Sequence, residues 1–180
     1  TKKANVKGNI SQTKTVKNEG QENWYIENNL ENNGNKLEKK EGKKDEEKKA
    51  AYEYYEPRTV HDSSLSYAPH AWLAARLGKT EEAYKYFKQC AYLDINDLKL
   101  NTISGIHFAN FGGTWLSAIY GFAGVSFDGD TLYINPKLPD AWKGMKFSLI
   151  CKGTVIKINI FGNSVEVFCN KQGSDFNIVV

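Results

Sequence analysis

The chain has 180 residues, enough for one domain or for parts of two, and carries 24 basic and 21 acidic side chains for a net charge of +3. Residues 1–49 hold 12 lysines and 9 acidic residues and so carry that whole excess, whereas residues 50–180 balance at 12 of each. A nucleic-acid surface needs a basic stripe on the folded part, and a membrane span needs a long apolar run; the sequence offers neither, so both partners are set aside.

Residues 1–50 are rich in Lys, Asn and Glu, with Trp24 and Tyr25 as their only aromatics. So little apolar surface does not offset the entropy of ordering, and the tract is expected to be a disordered linker or insertion without a functional site. Its run KLEKKEGKKDEEKKA can form a solvated helix through i,i+4 pairs, with Gly42 as an interruption. The N-terminus shows no signal-peptide core, and the absence of an initial Met suggests a fragment or a processed product. Cys90, Cys151 and Cys169 are odd in number, widely spaced and without a C-x-x-C, which argues against a zinc site and for a soluble protein in a reducing, cytoplasmic compartment.

From about residue 51 the character changes to helical. A first helix is predicted to run to Leu77 and to stop at Gly78, with Ala71, Ala74 and Ala75 beside Trp72 suited to close helix packing. Pro69 belongs in its first turn, which places the start near Ser63, Ser64 and Ser66, any of which can cap it. A second helix starts with Thr80 as cap and Glu81 and Glu82 at the positive end of the dipole. Ala83, Phe87, Cys90, Ala91 and Asp94 share one face of it, apolar until the last residue. A third helix is predicted over Thr114–Phe122, preceded by the Gly112–Gly113 pair.

Beyond Gly124 the period becomes two. Ile156, Ile158 and Ile160 alternate with Lys157 and Asn159, Val165, Val167 and Cys169 repeat the pattern, and Gly162–Asn163 marks a tight turn between them. TLYIN and KFSLIC are earlier strands. The expectation is an α+β chain: residues 51–124 helical, residues 125–180 an antiparallel, sandwich-like sheet domain that is cut short at FNIVV.

Two segments could carry chemistry. In HDSSLS, His61 to Ser66, the hydroxyls of Ser63 and Ser64 meet free backbone N–H groups at a helix start, an arrangement that receives an anion without a side-chain cation. The alternative is that a serine caps the helix and Asp62 bonds the local backbone. In NTISGIHFANFGGTW, Asn101 to Trp115, His107 stands alone in an apolar setting and Gly112–Gly113 would let backbone approach a ligand. The alternative there is a structural histidine, and the glycines do not form a G-x-G-x-x-G loop.

The blocks YYEPRTVHDSSLS, AARLGKTEEAYKYF, LDIND, GIHFANFGGTW and LYINPKLPDAWKGMKFSL, in that order over about residues 52–160, resemble the C-terminal part of glycoside hydrolase family 65, which includes maltose, trehalose and kojibiose phosphorylases. The resemblance implies the last helices of an (α/α)6 barrel followed by a C-terminal β domain. It implies an inverting disaccharide phosphorylase that uses inorganic phosphate as co-substrate, with no cofactor and no metal. Phosphate would be held by Ser63, Ser64, His107 and the backbone of Gly112 and Gly113. Glu56, His61 and Asp62 would support the loop or touch sugar, with Arg58 nearby. The family's general acid is an upstream Glu that this chain does not contain, so the isolated chain is expected to turn over nothing measurable. A family-65 α-glucoside hydrolase fragment and a non-catalytic sugar-binding or interaction module are the alternatives. A homodimer of the full-length protein is left open.

Overall fold

The computed structural model describes residues 2–4, 13–16, 23–29, 38–170 and 176–180, with side chains described for residues 45–169 and 176–180. Of residues 1–50, over which a linker is expected, 23 lie outside the described residues. Within it are three strands, β1 (Lys2–Ala4), β2 (Thr13–Val16) and β3 (Asn23–Asn29), and helix α1 (Glu38–Tyr55), which continues through Gly42. The chain divides into two compact units, residues 37–124 with 136–140, and residues 1–36, 125–135 and 141–180.

The first unit is helical. After α1 and a 3-10 turn at Glu56–Arg58 come α2 (Tyr67–Arg76), α3 (Thr80–Ala91) and α4 (Phe108–Leu116), the last running into a π-helical turn at Ser117–Phe122. Gly78 ends α2 as the sequence predicts: at φ +77° its N–H reaches Ala75 O and the Lys79 N–H reaches Ala74 O, the paired bonds of a Schellman cap. Ala71, Ala74, Ala75 and Ala83 are fully buried, so these helices meet through methyl groups. Ser117 Oγ lies within hydrogen-bond distance of both Ala68 O and Gly113 O, tying α4 to α2.

Three local expectations are corrected. The helix predicted over Thr114–Phe122 begins six residues earlier, at Phe108, so Gly112 and Gly113 lie inside α4 and not in a loop before it. Contact explains the second glycine: a Cβ at Gly113 would sit 2.7 Å from the Ala68 Cβ. Thr80 is the first residue of α3, with Lys79 at the cap position and no side-chain capping bond. No serine hydroxyl caps α2 either; Ser66 occupies the cap position and its Oγ turns back to Ser63 O at 2.9 Å.

The second unit holds two sheets. The strands after α4 are β4 (Val125–Asp128), β5 (Thr131–Ile134), β6 (Gly144–Cys151), β7 (Thr154–Phe161), β8 (Ser164–Asn170) and β9 (Phe176–Val179). The strand orders are β1-β3-β8-β7-β6 and β2-β9-β5-β4. The antiparallel pairing expected over residues 125–180 holds for β4–β5, β6–β7 and β7–β8, but β5 runs parallel to β9, and outside that range β1 runs parallel to β3. Alternation alone cannot report which strand becomes whose neighbour. The hairpins follow their turn residues. Lys152 and Gly153 both have positive φ, the I′ pattern, whereas only Gly162 does in the β7–β8 turn, the glycine-first pattern of II′. Ile156, Ile158, Ile160, Val165 and Val167 are completely buried, as their spacing predicts. The terminal run FNIVV contains strand β9, paired on both edges with Ile178 fully buried.

Candidate functional site

The segment between α1 and α2 is built on a pinned histidine. His61 has φ +58°, a region that costs a non-glycine residue unless its surroundings hold it there. Its carbonyl accepts Lys99 Nζ at 2.8 Å, and its ring stacks on Tyr67 at 5.0 Å between centroids. His61 Nδ1 lies 2.9 Å from Ser66 Oγ. Because the Ser66 hydroxyl proton goes to Ser63 O, Nδ1–H is the donor, and the other ring nitrogen, Nε2, is left buried without a partner. Burial first, and His70 second, lower the ring's pKa below the ordinary histidine value, against an opposing pull from Glu56.

The neighbouring polar groups differ in their surroundings. Glu56 Oε1 accepts the Tyr86 hydroxyl at 2.7 Å, and burial together with that bond raises the Tyr86 pKa. Arg58 Nη1 donates to Tyr54 O and its guanidinium lies over the Tyr54 ring, which commits it to the end of α1. Ser63 Oγ accepts the Leu65 N–H at 3.2 Å from an exposed position. The Ser64 hydroxyl and the exposed Asp62 carboxylate make no hydrogen bond among the described residues. At the start of α2 the Ser66 N–H is taken by Ser63 O and Pro69 has none, leaving Tyr67 and Ala68 as the N–H groups without an intrahelical partner.

His107 stands at the cap position of α4. Its N–H donates to Asp94 Oδ2 at 2.9 Å and its Nδ1 to Asp94 Oδ1 at 2.5 Å, so one carboxylate grips both backbone and ring. Asp97 closes the intervening loop separately. Its Oδ1 accepts the N–H groups of Asn101 and Thr102, and these bonds hold its pKa below the usual carboxylate value.

The two sequence segments meet at an apolar cleft of about 280 Å³. Leu65, the residue after Ser64, lines it from one side, Gly112 and Gly113 from the other, with Trp72, Asn110 and Leu116 among the rest. Ser63, Ser64 and His107 are not among its lining residues. Asn110 anchors its amide on Cys90 O at 2.7 Å. Sequence reasoning gave Asp94 only a place on a helical face and Ser66 only a capping role, and it passed over Lys99 and Tyr86. For Asp94 a signal was present, an acid ending an otherwise apolar helical face; the others are known only through their partners. All three cysteines are free, and no described helix is long and apolar enough to cross a membrane.

Comparison with known proteins gives these segments a context. The model of the glycosyl hydrolase family 65 central catalytic domain matches residues 21–116, and that of the family's C-terminal domain matches residues 125–180. The match therefore reaches beyond residues 52–160 at both ends. The chain is 39% identical over 125 residues to the 1,2-alpha-glucosylglycerol phosphorylase of Bacillus selenitireducens, covering 64% of this chain and 16% of that protein. It is 39% identical over 117 residues to the alpha,alpha-trehalose phosphorylase of Geobacillus stearothermophilus, covering 65% of this chain and 15% of that protein. A solved structure described as "Putative kojibiose phosphorylase from human microbiome" superposes with a TM-score of 0.67 at 26% identity, over 76% of this chain and 22% of that one. The chain spans about one sixth of the length of these curated relatives.

Proposed function

The chain belongs to glycosyl hydrolase family 65, and from that premise we propose that it is the phosphate-holding portion of an inverting disaccharide phosphorylase. In this reading residues 51–124 end an (α/α)6 barrel, and the substrate is an α-glucosyl disaccharide such as maltose, trehalose or kojibiose. The relatives are phosphorylases of several different glucosides, so substrate class, and not the particular sugar, is what the kinship supports.

The reaction asks little of this segment except to hold an anion. A phosphate oxygen forms a bond to the anomeric carbon from the face opposite the glycosidic oxygen. The bond from that carbon to the glycosidic oxygen breaks, and a Glu elsewhere in the full-length enzyme gives the leaving oxygen its proton. Phosphate is already nucleophilic, so no carboxylate base is needed beside it, and one would repel it. Hydroxyls, backbone N–H groups and an imidazole suit the task. The observation that carries the reading is His107: Asp94 takes its Nδ1, and its Nε2 is neither buried without a partner nor hydrogen-bonded among the described residues. The hydroxyl of Ser64, likewise without a partner, and the N–H groups at the start of α2 supply the complementary donors.

Titration of the 180-residue chain with inorganic phosphate, followed by NMR, tests this directly. Saturable shifts at His107 and at residues 63–68, lost in the Ser63→Ala, Ser64→Ala double variant, are expected. Shifts distributed over the surface without saturation would remove phosphate from the reading and favour a hydrolase or a non-catalytic module. The chain alone should release no glucose 1-phosphate from any disaccharide, because the Glu is supplied elsewhere.

A further inference from the structure

Asp94 is three residues past the end of α3 and its side chain is only 6% exposed. A nearly buried carboxylate is costly unless its oxygens are satisfied, and here both are satisfied by one residue. We propose that Asp94 is a positioning residue that locks the His107 ring in the Nδ1–H form and presents Nε2 as the ligand-facing atom. The identity of the ligand at Nε2 as phosphate rests on the functional reading above; the lock itself does not.

Hydrogen-bond chemistry fixes the direction. An ionised carboxylate only accepts, so the Nδ1 that faces Oδ1 must carry a proton. In the neutral ring Nε2 is then an acceptor; when an anion arrives with a proton, Nε2–H becomes a donor and Asp94 balances the charge on the ring. The second bond, from the His107 N–H to Oδ2, ties the same carboxylate to the main chain at the start of α4, so the ring cannot rotate without losing its partner. A role in loop architecture alone does not account for this arrangement. Asp97 already closes the turn that leads to Thr102. The contrast with His61 is informative, because its Nε2 is sealed in the interior, whereas that of His107 is not.

The chain has three histidines, so imidazole 15N spectra of the full chain are readily assigned. In the neutral imidazole, His107 is expected to carry its proton on Nδ1. Asp94→Asn keeps the shape but has a single acceptor oxygen for two N–H groups, and should lose that preference while the His61 and His70 signals stay unchanged. Phosphate affinity in this variant should fall about tenfold to a hundredfold, the range for losing one charge-assisted bond. A wild-type His107 protonated on Nε2 would overturn the proposal, whether or not the variant folds. So would an Asp94→Asn chain that binds phosphate as tightly as wild type while His107→Ala binds none. Wild-type spectra with Nδ1–H that do not respond to phosphate would support the lock and remove phosphate from the functional reading.

Discussion

The helical unit and the sheet unit differ in how their elements meet. In the sheets the fully buried side chains are large aliphatics such as Ile156, Ile158, Ile160 and Ile178. In the helical unit, fully buried alanines accompany a few large side chains, Leu93 and Phe122 among them, while Phe108 is 80% exposed and Trp115 50%. Both units fill volume with large side chains, and the helical unit adds close approach through small residues. Buried strand positions should suffer from losing atoms, and the small-residue helix contacts from gaining them.

The largest expected effect is in the sheets. Ile158→Ala removes three carbons from a completely buried strand position and should cost about 2–5 kcal/mol in urea denaturation. A loss below about 1 kcal/mol would mean that the site collapses freely and that the contrast with the helices is wrong.

The adjacent glycines of α4 sharpen the other side. Gly113→Ala forces a methyl to within 2.7 Å of the Ala68 Cβ and should destabilise by about 1–3 kcal/mol despite alanine's better helix propensity. Gly112→Ala meets nothing within 4 Å and should stabilise by up to about 1 kcal/mol. Thermal unfolding of the two variants should move in opposite directions; movement in the same direction would break the close-approach account.

A smaller effect separates the units by pH. The His61 pKa in the folded chain lies below its ordinary value of about 6.5, so as pH falls the unfolded chain takes up the proton first. That contribution to stability is complete above about pH 6.5 and is lost progressively below it. His61→Asn does not titrate and suits a positive φ, so urea midpoints should fall less steeply with acid than those of wild type. Parallel acid profiles for the two proteins would show that His61 is not the group concerned.

The smallest perturbation is thiol labelling, since each unit holds one buried cysteine. Burial raises the Cys90 thiol to about 12 and the Cys169 thiol to about 11, while Cys151 is only half-buried. Cys151 should label first. Cys90 should label before Cys169 if the helical unit opens more readily than the sheets. The reverse order would place the weaker unit among the strands.

Much of this architecture was legible residue by residue. Alternation gave β7 and β8 and their buried faces, Gly162 and Gly78 gave a turn and a helix end, and the small residues around Trp72 gave a close helix contact. The blocks around His61 and His107 gave the family and two candidate segments. Less was legible wherever a residue's role depends on a partner far along the chain. Gly112–Gly113 read as a pair ahead of a helix that lets backbone approach a ligand, yet Gly113 is needed inside α4 for contact with Ala68, 45 positions earlier. The serines read as caps because hydroxyls commonly cap helices, but Ser66 is engaged with His61 and Ser63.

The sequence by itself determined the period of each element, the apolar faces, several turns and the family, because these follow from interactions between residues a few positions apart. The parallel pairing of β5 with β9, the start of α4 and the grip of Asp94 on His107 were decided by tertiary structure alone. Each depends on contacts between residues 13 or more positions apart. Periodicity carries no information about which distant partner closes such a contact; packing and the need to satisfy buried polar groups choose it.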